Sequence, residues 1–352
     1  MQAPIEFTGI VSAIAEQDAL RENIRPSIPD RFKGIYYRLR IDQKVTEKNF
    51  LKQLKNYDAA YIWPAISVNT FLRARKQNKP IFLERVNCFQ GFSKEILDDA
   101  YQRLGLIPQH GITDEMVQDE IRKVELSDLL FCPGAFVKDS FLKAGFPAEK
   151  LVATSYGWCP DRFAQLLKQS PYQPVVNRPF TVLFVGSICV RKGVHLLMEA
   201  FLKSGIEGRL LLCGKIEPAI AEACRDLLNH PKITCLPFSY NVTEVFQQAD
   251  VFAFPTLEEG DPQVTYEAMA HGLPVLVSPM GAGVGVRNGI DGWVLPPYEQ
   301  DAWIEALRTL AANLNQGYQM GQAGWKNSQQ FTYDKVAERR AHTMWKILSE
   351  MS

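Results

Sequence analysis

The feature that most limits how this chain can fold is a series of six short apolar runs in its second half. They occupy residues 180–186, 209–214, 233–238, 251–255, 274–279 and 293–297. Apolar runs of this length, without polar alternation, suit strands buried on both faces, as in a parallel sheet. Helix-like stretches lie between or after them, at 194–203, 218–228, 242–249, 264–271 and 302–314. The last of these sets Trp303, Leu307, Leu310 and Leu314 on one stripe. Strand and helix therefore alternate, which predicts an α/β, doubly wound domain.

The first half carries a weaker version of the same pattern. Residues 57–63, 80–83 and 151–155 read as strands, and 126–132 leads into another. Helices are expected at 68–77 and 136–144. Pro26 and Pro29 exclude a continuous helix near the start, and residues 1–50 resist assignment. Pro171, Pro174 and Pro179 cluster just before the first strong run. The expected division is a first domain over 1–165, a linker over 166–178 and a second domain over 179–332. A chain of 352 residues is long enough for two such cores.

Bulk chemistry narrows the function classes. Formal net charge is zero, so the whole molecule lacks the electrostatic signature of a nucleic-acid binder. Residues 31–85 nevertheless hold 13 Lys and Arg against 4 Asp and Glu. That segment is either a solvated basic surface or a face that meets anionic lipid or an acidic acceptor. The seven cysteines form no CxxC pair and several sit in apolar runs, which fits buried thiols in a reducing compartment. No apolar run approaches the ~18 residues of a spanning helix, and the N-terminus makes a poor signal peptide. A cytoplasmic protein is expected, with peripheral membrane contact through the basic segment as its only membrane option. The five histidines have no zinc-type spacing, so no metal site is expected.

Two segments could carry chemistry. The first runs from Pro255 to Pro274, leaving a buried strand and entering a helix. Glu259 lies in the loop and Glu267 eight residues on, inside the helix. The Gly260–Asp261–Pro262–Gln263–Val264 loop would present amides at a helix N-terminus, where phosphate or a negative oxygen is attracted. A carboxylate just inside that helix can accept bonds from two neighbouring hydroxyls, as a ribose offers them. Taken alone, Glu259 could be solvated and Glu267 could serve the helix start. The second segment is Gly186-Ser187-Ile188-Cys189-Val190-Arg191-Lys192-Gly193. Cations are disfavoured at a helix N-terminus, so Arg191 and Lys192 there point to an anionic partner. A solvated basic pair on a turn is the plain alternative. His271 is expected on a helix surface. Gly281 to Gly285 reads as a loop near the same site.

With these residues in view, the chain resembles the retaining glycosyltransferases of family 4, whose GT-B fold sets two Rossmann-like domains across a cleft. The resemblance covers residues 120–345. It rests on Tyr156 to Phe163, on Gly186 with Arg191-Lys192-Gly193, on Glu259 through Glu267, and on Phe331 to Glu338. It implies that the final helix, 333–352, packs back on the acceptor-side first domain. It also implies that Lys192 and Arg191 neutralise a donor diphosphate, that Glu267 holds the ribose, and that Glu259 faces the sugar. Gly186, Ser187 and the Asp261 to Thr265 stretch would complete the donor site. The implied substrates are a nucleoside diphosphate sugar and a glycan, lipid-linked or small-molecule acceptor, with no metal and no other cofactor. No D-x-D sequence occurs in the chain. Three departures stand out: Ser187 replaces the family's frequent Arg, residues 1–30 hold no Gly-rich loop, and Glu84 to Cys88 contain no His. The missing Gly-rich loop and His suggest, as the competing class, a protein that binds nucleotide sugars without turning them over. A related GT-B phosphorylase or epimerase is a further alternative. An NAD dehydrogenase is disfavoured, because no strand feeds an intact GxGxxG and helix.

Overall fold

A computed structural model describes residues 5–11, 23–28, 32–163, 178–238 and 241–351. Among these, the strands form three sheets, all parallel. A short pair joins β1 (Gly9–Val11) to β2 (Ile24–Pro26). A four-stranded sheet holds β3 (Ala60–Ile62), β4 (Ile81–Glu84), β5 (Leu129–Pro133) and β6 (Leu151–Thr154) in chain order. A six-stranded sheet holds β7 (Phe180–Val185), β8 (Gly208–Cys213), β9 (Ile233–Leu236), β10 (Val251–Phe254), β11 (Val275–Val277) and β12 (Gly292–Val294). Its order is β12-β11-β10-β7-β8-β9. The expected α/β architecture is therefore present. The linker expected at 166–178 lies outside the described residues, apart from Arg178.

The six-stranded sheet follows directly from its sequence. β10 and β11 are buried along their whole length, and β7 is buried except at Val185. The helix Val194–Ser204 begins after Gly193 and ends at Gly205, both with positive φ, and buries Val194, Leu197, Met198 and Phe201 against the sheet. Each such side chain taken out of water contributes ~1.5–3 kcal/mol. The topology then creates one special place. The chain winds from β7 outward to β8 and β9, then returns to lay β10 on the other side of β7. Loops leaving β7 and β10 diverge there, which opens a crevice at the carboxyl edge of a doubly wound sheet.

The first half differs more from expectation. Helices Asp42–Gln53, Gln90–Arg103 and Asp114–Leu126 occupy ranges where no helix was expected. The stripe expected over 302–314 is interrupted. One helix, Gln300–Ala312, stops at Asn313, and another, Leu314–Ser328, follows. The second buries Gly317, Gly321 and Gly324 and lies against the helix Gln263–Ala270. Five of the seven cysteines are buried, and all seven are free.

The chain crosses between the two large sheets twice, and Trp158 pins both passages together. Its amide donates to the Phe331 carbonyl (2.9 Å), and its carbonyl accepts from the Tyr333 amide (2.9 Å). Its indole N–H donates to Ser328 (2.9 Å), with the ring fully buried. Gly157, with φ +73, is required beside it, because a Cβ there would collide with the Phe331 carbonyl. The last helix, Tyr333–Met351, then returns to the four-stranded sheet and packs Met344, Ile347 and Leu348 on Phe82, Phe131 and Tyr61.

One ion pair fixes that return. Arg340 donates to both oxygens of Glu84 (2.8 and 3.0 Å), and also to Tyr61 Oη (3.0 Å) and Thr154 Oγ1 (2.8 Å). Burial pushes the Glu84 carboxyl above its ordinary range, while the bonds and charge of Arg340 pull it down. Arg340→Ala should leave that carboxylate buried and unpaired, and destabilise the fold by ~3–5 kcal/mol. A carboxyl with a raised folded pKa stabilises most when protonated, so the deficit relative to the unaltered chain should shrink from pH 8 to pH 5. Paired chemical unfolding curves at the two pH values measure it; a deficit constant with pH would assign the loss to packing alone.

Candidate active site at the switch point

The loops that leave β7 and β10 carry most of the residues singled out in the sequence. After β7, Gly186 (φ +143) turns the chain and Ser187 is exposed. A single 3-10 turn, Val190–Lys192, then presents the two cations. Gly193 (φ +63) lets that turn lie directly against the end of β10, because a Cβ there would overlap the Pro255 carbonyl. After β10, residues 255–262 form a buried loop leading into the helix Gln263–Ala270, which has no side-chain cap.

These two loops bring Arg191, Lys192 and Glu259 together. Lys192 is in contact with the Glu259 carboxylate, and Arg191 Nη1 lies 3.2 Å from Glu259 Oε2. The Lys192 ammonium also sits 5.2 Å from the centre of the Phe254 ring. Burial and the Arg191 charge push the Lys192 ammonium down to about 7, while the touching carboxylate favours its charged form. The Arg191 side chain keeps 35% of its surface exposed.

The acidic loop proves more differentiated than the sequence indicated, since its three carboxylates meet three sets of partners. Glu258 accepts from Asn87 Nδ2 (3.1 Å) and Ser93 Oγ (3.0 Å), across from the first sheet. Asp261 accepts from the Tyr156 amide (2.7 Å), the Tyr266 hydroxyl (2.6 Å) and the Val284 amide (3.1 Å). Its side chain is thus an internal brace, and burial raises its pKa while those bonds lower it. Thr265 donates its hydroxyl to the Gly281 carbonyl (2.8 Å), which engages that side chain in packing too. Pro262 is buried; Gln263 and Val264 are half-buried at the helix start. Gly260 is pressed against the Val86 carbonyl and Pro133, where any side chain would clash. The loop is therefore wedged between the carboxyl edges of the two large sheets.

Glu267 lies in a separate pairing. It meets Arg162 Nη1 at 2.8 Å, and burial raises its carboxyl while Arg162 lowers it. Tyr333 donates to Gln263 Oε1 (2.6 Å) one turn earlier on the same helix. Among the described residues, no ion pair joins Glu267 to the Arg191–Lys192–Glu259 group. His271 is not on the surface. It stacks on Phe246 (4.5 Å between centres), meets Phe163 edge-on (5.2 Å), and donates from Nδ1 to the Glu267 carbonyl (2.6 Å). Burial pushes it down to about 4, so it is a neutral packing residue. Sequence reasoning missed Glu258, although it adjoins Glu259, because spacing to Glu267 singled out only one of the pair. Arg162, within the Tyr156–Phe163 segment, meets Glu267 across 105 residues, a pairing no local pattern announces.

Residues 179–313 match the family described as glycosyl transferases group 1. The chain is 28% identical over 226 residues to the amylovoran biosynthesis glycosyltransferase AmsK of Erwinia amylovora, covering 60% of this chain and 53% of that protein. It is 28% identical over 149 residues to the capsular polysaccharide biosynthesis glycosyltransferase CapM of Staphylococcus aureus, covering 40% and 39%. The chain thus spans about half or less of the length of these relatives. Among solved structures it resembles HepE of Anabaena in complex with UDP, with a TM-score of 0.66, 16% identity and 92% of each chain covered. It also resembles the sucrose-phosphate synthase of Thermosynechococcus elongatus, with a TM-score of 0.64, 18% identity, and 92% and 81% covered. The fold is GT-B.

The Lys192–Glu259 contact makes one direct prediction. An incoming anion must displace that carboxylate before it can bind both cations. Glu259→Gln should therefore tighten binding of inorganic pyrophosphate, by about tenfold if ~1.4 kcal/mol of competition is removed. Titration calorimetry at low salt reads this; weaker binding in the variant would contradict the competition.

Proposed function

We propose that the chain is a glycosyltransferase that moves a sugar from a nucleoside diphosphate sugar to an acceptor hydroxyl, with retention at the sugar carbon and without a metal ion. The observation that carries this reading is the meeting of Arg191, Lys192 and Glu259 at the switch point of the second sheet. As the bond from sugar to phosphate breaks, negative charge grows on the terminal phosphate oxygen. Lys192 and Arg191 would balance that charge, and the amides at the start of the Gln263–Ala270 helix would add a fixed dipole. Glu259, released from Lys192, would face the sugar. Glu267 would take the ribose hydroxyls. Its present partner Arg162 has a half-exposed side chain, able to move aside. The relatives' roles in amylovoran and capsular polysaccharide biosynthesis support a glycan acceptor, and the UDP in HepE supports a nucleotide donor.

Lys192→Ala should lower kcat by ~10²–10³-fold, the usual loss for one preorganised donor at a developing oxyanion. The assay is transfer from a panel of UDP, GDP and ADP sugars, with circular dichroism confirming the fold. A variant rate within threefold of the unaltered chain would remove Lys192 from the reaction.

The basic segment supports a peripheral contact with anionic membrane. Exposed Ile35, Tyr37 and Leu39 flank Arg38 and Arg40, and exposed Lys44, Lys48 and Lys52 lie on the adjoining helix Asp42–Gln53. Apolar side chains among cations are what an anionic bilayer surface accepts. No helix among the described residues is long and apolar enough to cross a membrane. Co-sedimentation should be strong with vesicles containing about a third phosphatidylglycerol, weak with phosphatidylcholine alone, and lost at high salt; equal binding to both vesicles would discard this contact.

A further inference from the structure

Glu258 is the acidic residue of this site that the proposed reaction leaves without a task. It is 2% exposed. Asn87, which donates to it, follows β4, and Ser93 lies in the first turn of the helix Gln90–Arg103. Both partners thus come from the first half of the chain, more than 160 residues away. On its other side, Glu258 Oε2 lies 3.5 Å from Arg191 Nη1, and the Glu258 carbonyl accepts from the same nitrogen at 3.4 Å. One side chain therefore touches both the first domain and a cation of the donor site.

Stability alone does not account for a carboxylate in this position. Apolar residues of similar volume usually match or exceed a buried ionic group in stability. The surroundings are already well packed: the helix Gln90–Arg103 sends Ala100 and Tyr101 into the core of the second domain, and Met280 of the second domain reaches the core of the first. The carboxylate supplies direction instead. Two neutral donors from one domain orient it, and its charge fixes the guanidinium of the other.

We propose that Glu258 is a positioning residue that couples Arg191 to the first domain, so that this cation is aimed at the donor phosphate only when the two domains are docked. The inference rests on the transfer reading above. It goes beyond it by making the first domain a participant in donor activation rather than an acceptor platform alone. Asn87 and Ser93 become part of the catalytic apparatus without approaching the donor.

The test uses the full chain, with UDP, GDP and ADP as binding probes and their sugars as donors. Glu258→Gln keeps the shape and removes the charge. It should lower kcat by about tenfold or more while nucleoside diphosphate affinity stays the same or tightens, the pattern of an interaction realised in the transition state. Asn87→Ala, a milder change, should lower kcat in the same manner. The double variant should lose little beyond E258Q alone, since the residues act in one chain. Thermal midpoints measured alongside separate folding from function. If both variants lower the midpoint but keep the kcat of the folded protein, or if their losses simply add, the coupling is overturned. If the unaltered chain binds none of the three nucleotides, the transfer reading fails and this inference falls with it. Normal binding and turnover in the unaltered chain, with variants of equal kcat, would remove the Glu258 role alone.

Discussion

The structure depends on a single loop, Glu258 to Asp261, that places three carboxylates within four residues and spreads them over different partners, with only Arg191 shared between two of them. Glu259 pairs with both cations after β7. Asp261 braces the loop against Tyr156, Tyr266 and Val284. Glu258 ties it to the first sheet. Such a cluster is tolerable only because every charge has a partner, since an uncompensated charge in a packed interior is costly. Gly260 sits at the centre because no side chain fits between the loop and the Val86 carbonyl. The crevice of the second sheet, the edge of the first and the cationic turn are thereby held in one arrangement.

That arrangement gives the site a resting state. The cations that would receive phosphate are paired with the carboxylates of Glu258 and Glu259. The buried Lys192, beside Arg191, has a weakened hold on its proton, and the Glu259 contact opposes that. A donor diphosphate would take over this task and free Glu259 toward the sugar. Binding and activation are then two sides of one exchange of partners.

The second domain was legible in the sequence because burial on both faces writes itself as unbroken apolar runs. Each of the six runs contains or closely overlaps a strand of the six-stranded sheet. The cation pair was legible because cations at a helix start break a local rule, and the Glu259–Glu267 pair because a loop carboxylate and one just inside the next helix frame a phosphate-binding turn. The first domain was harder for physical reasons. The helix Gln90–Arg103 buries Ser93 and Ala100 beside Leu97 and Tyr101, too weak an apolar stripe to notice. The helix Leu314–Ser328 hides behind glycines, normally helix breakers, that it needs in order to pack closely; a Cβ on Gly321 would strike the Gly272 carbonyl. His271 looked like a surface residue because its partners Phe163 and Phe246 are distant in sequence. Pairings such as Glu84 with Arg340 join residues 256 apart, and no local pattern announces them.

The most direct test of this account is a crystal structure of the chain soaked with the nucleoside diphosphate it binds best. The account predicts the diphosphate seated between the loops after β7 and β10, bonded to Lys192 and Arg191, with Glu259 released and the ribose on Glu267. A nucleotide found elsewhere, with the Lys192–Glu259 contact intact, would contradict it.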